Sequence, residues 1–171
     1  EPEQRLLYTI ERAELALELF DYSLAKDALQ YLTLNKQTWL IYSELLYLLG
    51  DIRLSAKIIR SYIPSLAKRT DEVGARALVL IGRIDEQQGH YIKAEKALNR
   101  AAEIFKKKRL QVATTHTYVN LGALYVKMGQ WNDAIQVLES IQHQVPPRSS
   151  LEAVLKHNMA IAVQNAATDV D

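Results

Sequence analysis

The stretch Tyr118-Val-Asn-Leu-Gly-Ala-Leu-Tyr-Val-Lys-Met-Gly-Gln-Trp-Asn-Asp-Ala-Ile-Gln-Val-Leu138 reads as a helix, a turn and a second helix. Its apolar residues recur at intervals of three and four, the helical period. Gly129 ends the first helix, where a left-handed residue is cheap only without a Cβ. Asn132 or Asp133 can complement the start of the second helix. Gly122 and Ala134 are small, so the two helices can cross closely there. Tyr118, Leu121, Tyr125, Trp131 and Leu138 fill the remaining space, and Pro146 with Pro147 stops the second helix.

Working outward, the same pattern recurs. Gly50, Gly89 and Gly129 are spaced by 39 and 40 residues, and Gly82 and Gly122 by 40. A period of this size marks a repeat architecture. The preceding unit carries Leu78, Ile81, Gly82, Gly89, Tyr91, Ala94, Leu98 and Ala101. Before it come Trp39, Tyr42, Ser43, Leu46, Gly50, Ile52, Ser55 and Ile59, with serine in place of the small residues. A first hairpin is degenerate, keeping only the turn around Ala13, Phe20, Asp21, Tyr22 and Ala25. After the prolines, Asn158-Met-Ala160 and Val163 restart the pattern 38 residues beyond Asn120. The spacing predicts about nine helices, at 3–20, 22–34, 37–49, 52–67, 71–88, 91–107, 111–128, 131–144 and 149–166.

These residues resemble the tetratricopeptide repeat (TPR) family, in a long-repeat variety of 38–40 residues. The family pattern has a large residue, Leu-Gly, an aromatic, a turn Gly, an aromatic and then small residues. Residues 118–146 carry nearly all of it, and 78–101 most, with Asp85 replacing the aromatic of the first helix. The extra length lies in segments such as Ala67–Glu72 and Lys106–Gln111. Longer repeats of this kind are familiar from kinesin light chains and from bacterial peptide-sensing regulators. The run Ile81-Gly-Arg-Ile84 with Ala94-Glu-Lys96 is also similar to the TPR subunit of a vesicle-tethering complex. The resemblance implies an all-α, right-handed superhelical solenoid of TPR hairpins. It implies a single domain over 1–171: a degenerate hairpin at 1–36, repeats at 37–70, 71–110 and 111–147, and an incomplete repeat or capping helix at 148–171.

Composition narrows the function. The chain has 171 residues, 49% of them apolar, with 21 basic and 20 acidic side chains. That balance gives no electrostatic case for nucleic acid, whose binders show a strongly basic face. No apolar run approaches the roughly 20 residues of a membrane span, so direct membrane insertion is not expected. The longest, around Ile41 to Leu49, is interrupted by Ser43 and Glu44. With no cysteine there is no disulfide, thiolate metal site or cysteine nucleophile, which suits a cytoplasmic protein and is compatible with a periplasmic one. Glu1 in place of a methionine suggests a fragment or processed product. His90, His116, His143 and His157 show no ligand spacing. No phosphate-cradling glycine loop or paired carboxylate stands out, so neither cofactor nor enzymatic activity is expected.

In stacked hairpins the first helix of each pair lines the concave face. On it, His116, Val119, Asn120, Ala123 and Lys127 of the fourth repeat project together. Arg76, Val79, Leu80, Arg83 and Gln87 do so in the third, and Val154, His157, Asn158 and Ile161 in the fifth. Asparagine offers both donor and acceptor, so Asn120 and Asn158 can pair with the main chain of an extended peptide; many TPR proteins resemble this. Leu80 interrupts that ladder in the third repeat. Arg76, Arg83 and Lys127 suit an acidic peptide segment, with Gln87 and His116 beside them. The alternative is a solvated face with local pairs such as Arg83 with Glu86. Arg83 and Lys127 supply only part of the two-carboxylate clamp of chaperone-binding TPRs. Lys106-Lys-Lys-Arg109 reads as a solvated helix end where cations complement the dipole.

The expected function is a non-catalytic scaffold binding a peptide or helix of a protein partner in its groove. The alternative is a structural subunit of an assembly, such as a vesicle-tethering or regulatory complex, joined through flanks or ends. Met159 and Val163 need cover from a further helix, the rest of a longer chain or a second copy, which leaves self-association through the incomplete C-terminal repeat open.

Overall fold

The computed structural model describes residues 2–66 and 68–168, with side chains over 4–62 and 68–168. Among them are nine α-helices and no strand: α1 (Pro2–Leu19), α2 (Tyr22–Tyr31), α3 (Trp39–Leu48), α4 (Ile52–Leu66), α5 (Glu72–Gln87), α6 (Tyr91–Lys107), α7 (Gln111–Lys127), α8 (Trp131–Ile141) and α9 (Ser150–Thr168). Helix boundaries fall close to those the periodicity predicts. The expected end of α4 at Ala67, like the start of the inserted segment 67–72, lies outside the described residues. Contacts group the chain into two compact units, 1–68 and 69–171.

In the first unit α1 pairs with α2 and α3 with α4, and α3 packs on both helices of the first hairpin. Its core is alanine-rich, with Ala13, Ala16, Ala25 and Ala28 meeting Leu32, Ile41 and Leu45. Small side chains let the α1 and α2 backbones approach. In the second hairpin serine takes that role, and each hydroxyl has a partner. Ser43 Oγ donates to the Trp39 carbonyl (2.7 Å), and Ser55 Oγ crosses to the Ser43 carbonyl (2.8 Å). A buried hydroxyl is tolerated only when so satisfied. Trp39 stacks on Tyr62, their rings 4.6 Å apart and 12° from parallel.

In the second unit α5/α6 and α7/α8 are hairpins, α6 packs on α7, and α9 packs on both α7 and α8. A Cβ on Gly82 would lie 2.8 Å from Leu98 Cγ, and one on Gly122 only 2.5 Å from Leu138 Cγ. Leu98 and Leu138 are fully buried. The repeat places glycine where the second helix inserts a leucine into the first. Met159 packs against the cluster of Val119, Leu138, Ile141 and Leu155, whereas Val163 stays 51% exposed.

Five turns share one closure. The residue after each turn position donates its N–H to the carbonyl five residues back: Asp21 to Ala16, Asp51 to Leu46, His90 to Asp85, Leu110 to Phe105 and Gln130 to Tyr125 (2.8–3.0 Å). The turn residue is left-handed in every case. Gly50, Gly89 and Gly129 adopt it without strain, but Phe20 (φ 52°) and Arg109 (φ 59°) adopt it with a side chain. This is the left-handed helix cap, usually reserved for glycine.

Three local departures from the sequence reading have physical causes. Helix α2 stops at Tyr31 rather than 34, and α3 begins at Trp39 rather than 37, because Asn35 and Thr38 tie the chain in a turn. Asn35 Oδ1 accepts the N–H groups of Gln37 (2.8 Å) and Thr38 (3.1 Å), and Thr38 Oγ1 accepts that of Asn35 (3.1 Å). Such side-chain bonds offer the backbone an alternative to helix. Helix α8 ends at Ile141 and tightens into a 3₁₀ turn, Gln142–Gln144, before the two prolines. Neither Asn132 nor Asp133 caps α8; Gln130 holds the cap position without a side-chain bond, and Asp133 sits in the first turn, favourable for the dipole.

Asp71 caps α5, accepting the Gly74 N–H (3.0 Å) and bonds from Arg69 Nε (2.9 Å). The Arg69 hydrogen bond, with that N–H, lowers its pKa from 3.8 to about 2. A carboxyl depressed in the folded state stabilises above its unfolded pKa, and this contribution fades as pH falls from about 4 towards 2. Urea midpoints measured between pH 5 and 2 are expected to fall more steeply for wild type than for Asp71→Asn. Parallel profiles would mean that the cap carries no linkage.

Candidate functional site

Helix α7 has two opposite working faces, half a turn apart. One carries His116, Asn120, Ala123 and Lys127; the other carries Thr114, Tyr118, Leu121 and Tyr125. Both lie within the second unit.

On the first face, α5 and α9 flank α7. Lys127 is ion-paired with Glu86 of α5, whose side chain is only 13% exposed, so the two first helices are pinned side by side. Glu86 therefore takes a cation from the next hairpin. Arg76, Arg83 and Gln87 are all on α5 and are each engaged with neighbouring groups. Val119 and Leu80, expected to face the groove, are instead buried in the core at 2% and 3% exposure. His116 is exposed at its edge, yet desolvation lowers its pKa below the usual imidazole value, which favours the neutral ring.

The two asparagines differ. Asn158 is buried, and its Nδ2 donates to the Val154 carbonyl one turn back (3.0 Å). Its amide is committed to its own helix, as is that of Asn165, which donates to Ile161 (2.7 Å). Asn120 is half-buried, and its amide makes no hydrogen bond among the described residues. Lys127 and Asn120 stand on one face of one helix, seven residues apart.

The second face floors a groove of about 820 Å³ between α6 and α8. Tyr118, Leu121, Val137 and Ile141 form its base. At one end Tyr125 donates its hydroxyl to Glu95 Oε1 (3.1 Å), and Asp133 lies nearby. Burial, with the charge of these carboxylates, raises the Tyr125 pKa, keeping the phenol a donor. At the other end Thr115 Oγ1 donates to Gln144 Oε1 (3.0 Å), joining α7 to the 3₁₀ turn. Tyr118 and Tyr125 read as hairpin filling in the sequence. The signal for more is that both are tyrosines seven apart, with polar Glu95 and Asn99 on the facing helix.

Among the described residues no group of three His, Asp or Glu side chains could hold a metal ion, and no helix is long and apolar enough to cross a membrane. Residues 74–141 match the tetratricopeptide repeat family model. A search of curated protein sequences gave no match. Among solved structures, BtubC (BKLC) from P. vanneervenii aligns with a TM-score of 0.68 at 17% identity, over 91% of this chain and 70% of that one. A putative kinesin light chain with nearly identical TPR-like repeats from Podosopora anserina aligns with a TM-score of 0.68 at 16% identity, over 92% and 86%. At such identities the likeness is one of fold. The matched segment holds two glycine-notched hairpins in register, so residues 74–141 are built of tetratricopeptide repeats.

Proposed function

We infer that this chain is a non-catalytic scaffold that holds an extended peptide of a partner against the face of α5, α7 and α9, as tetratricopeptide repeats are in general protein-interaction scaffolds. The observation that carries the reading is the uncommitted, half-buried amide of Asn120. Such an amide is poised to take one donor and one acceptor from a peptide backbone, while Asn158 keeps its helix rather than the peptide. The Lys127–Glu86 pair fixes the platform on which the peptide lies.

Removing a hydrogen-bonding partner so that its mate is left unsatisfied costs about 1–3 kcal/mol, or roughly 5- to 150-fold in affinity. Peptides selected by display against the folded chain and titrated calorimetrically are therefore expected to bind Asn120→Ala that much more weakly. Equal affinity for wild type and variant places the contact elsewhere and removes this reading.

A second reading, a subunit joined to an assembly through its flanks or ends, is supported by exposed apolar side chains of α1 and the turn into α2. Leu7, Tyr8, Leu15, Leu19, Phe20 and Tyr22 are each 46–62% exposed.

A further inference from the structure

The groove between α6 and α8 has opposite charge at its two ends. Lys106 and Arg109 stand at one, within a run of four exposed cations that make no ion pair among the described residues. Asp133 stands at the other, beside the Glu95 that accepts from Tyr125. The antiparallel course of α6, α7 and α8 sets this polarity: the C-terminal end of α6 meets the start of α7, and the start of α8 meets its end. Between them the floor is apolar, and Gln136 on the α8 rim offers an amide with no protein partner among the described residues.

The dimensions select the occupant. From Thr114 to Tyr125 the floor helix runs eleven residues, roughly 16 Å at the helical rise. An extended chain covers that distance in about five residues. A fully enclosed small-molecule site would shut its ligand away from water, whereas both rims here are exposed. A nucleic-acid backbone would be repelled by the acidic end.

We propose that this groove is a second docking site, for an extended segment of a partner protein of about five residues. The segment carries acidic side chains at its Lys106/Arg109 end and an aliphatic or aromatic side chain over Tyr118. The groove lies on the face of α7 opposite Asn120, so it stands independently of the reading above. One scaffold then offers two peptide sites, back to back on a single helix.

The test is an immobilised array of pentapeptides with Leu, Phe or Tyr at the centre and acidic, neutral or basic residues at either end. It is probed with the full chain as wild type, Lys106→Glu/Arg109→Glu, Asn120→Ala and, as a charge control, Lys93→Glu/Lys96→Glu. Peptides with one acidic end are expected to bind at least tenfold more strongly than neutral or basic ones. That preference is expected to vanish in Lys106→Glu/Arg109→Glu and to persist in the other two variants. Circular dichroism verifies that all four are equally helical; the substituted Lys and Arg side chains are exposed, and Asn120 is half-buried. No preference for acidic ends, or a preference that survives Lys106→Glu/Arg109→Glu, overturns the proposal. So does its loss in Asn120→Ala, which moves the site to the opposite face, or displacement of every peptide by a single-stranded oligonucleotide.

Discussion

Trp39→Ala is expected to destabilise the first unit by about 3–5 kcal/mol, the range for removing a large buried aromatic. Trp39 is only 4% exposed. It opens α3, stacks on Tyr62 of α4, and supplies the carbonyl that satisfies the buried Ser43 hydroxyl. Truncation leaves a cavity and strips Tyr62 of its ring partner, an interaction worth about 0.5–1.5 kcal/mol beyond area. The chain has two tryptophans, and Trp131 lies in the second unit. Hydrogen exchange should therefore show lost protection in α3 and α4, with Trp131 fluorescence reporting the second unit separately. A loss below about 1 kcal/mol would show that the cavity collapses and that the stack is peripheral.

Gly122→Ala is expected to destabilise the second unit by about 1–3 kcal/mol, although alanine is the better helix former by about 1 kcal/mol. The steric effect wins because the new Cβ would lie 2.5 Å from both Cγ and Cδ2 of Leu138 and 3.0 Å from its Cδ1. Leu138 is fully buried, so it cannot swing aside into solvent. The same change at Gly82 should cost less, since its nearest contact is 2.8 Å. Leu138→Ala alone should cost about 2–5 kcal/mol. The double variant should cost less than the sum by at least about 1 kcal/mol, because each change relieves the other. Denaturant midpoints for the four proteins settle this. Additive costs, or a stabilised Gly122→Ala, would falsify the close crossing.

The Tyr118–Leu138 stretch alone disclosed the hairpin, its turn and its crossing point, because each rests on a local requirement. A left-handed turn favours glycine, a tight crossing requires a missing Cβ, and a helix face requires the three-four period. Where the left-handed cap is adopted against preference, at Phe20 and Arg109, no glycine marks it. Only the bond from the following residue to the carbonyl five back reveals the same cap there. The ends of α2 and α3 were obscured for a related reason. Asn35 and Thr38 are ordinary polar residues until their side chains close on each other's backbone.

The site was legible in part. Periodicity alone places Asn120, Lys127 and His116 on one face of α7, and Arg76, Arg83 and Gln87 on α5. It cannot distinguish Asn120 from Asn158, because the same residue at the same register bonds its own helix in one case and not in the other. Nor does it pair Lys127 with Glu86, 41 residues away, since that contact exists only once consecutive hairpins stack. The α6/α8 groove is likewise tertiary. Its floor is one helix and its rims are two others, so the charges at its ends, Lys106 and Arg109 against Asp133, acquire a common direction only on packing. The sequence by itself determined the repeat, the helices and the glycine notches, all set by neighbours within one hairpin. Which polar groups stay available to a partner, and which are consumed by adjacent turns and helices, only the tertiary structure decided, because that depends on side chains meeting across hairpins.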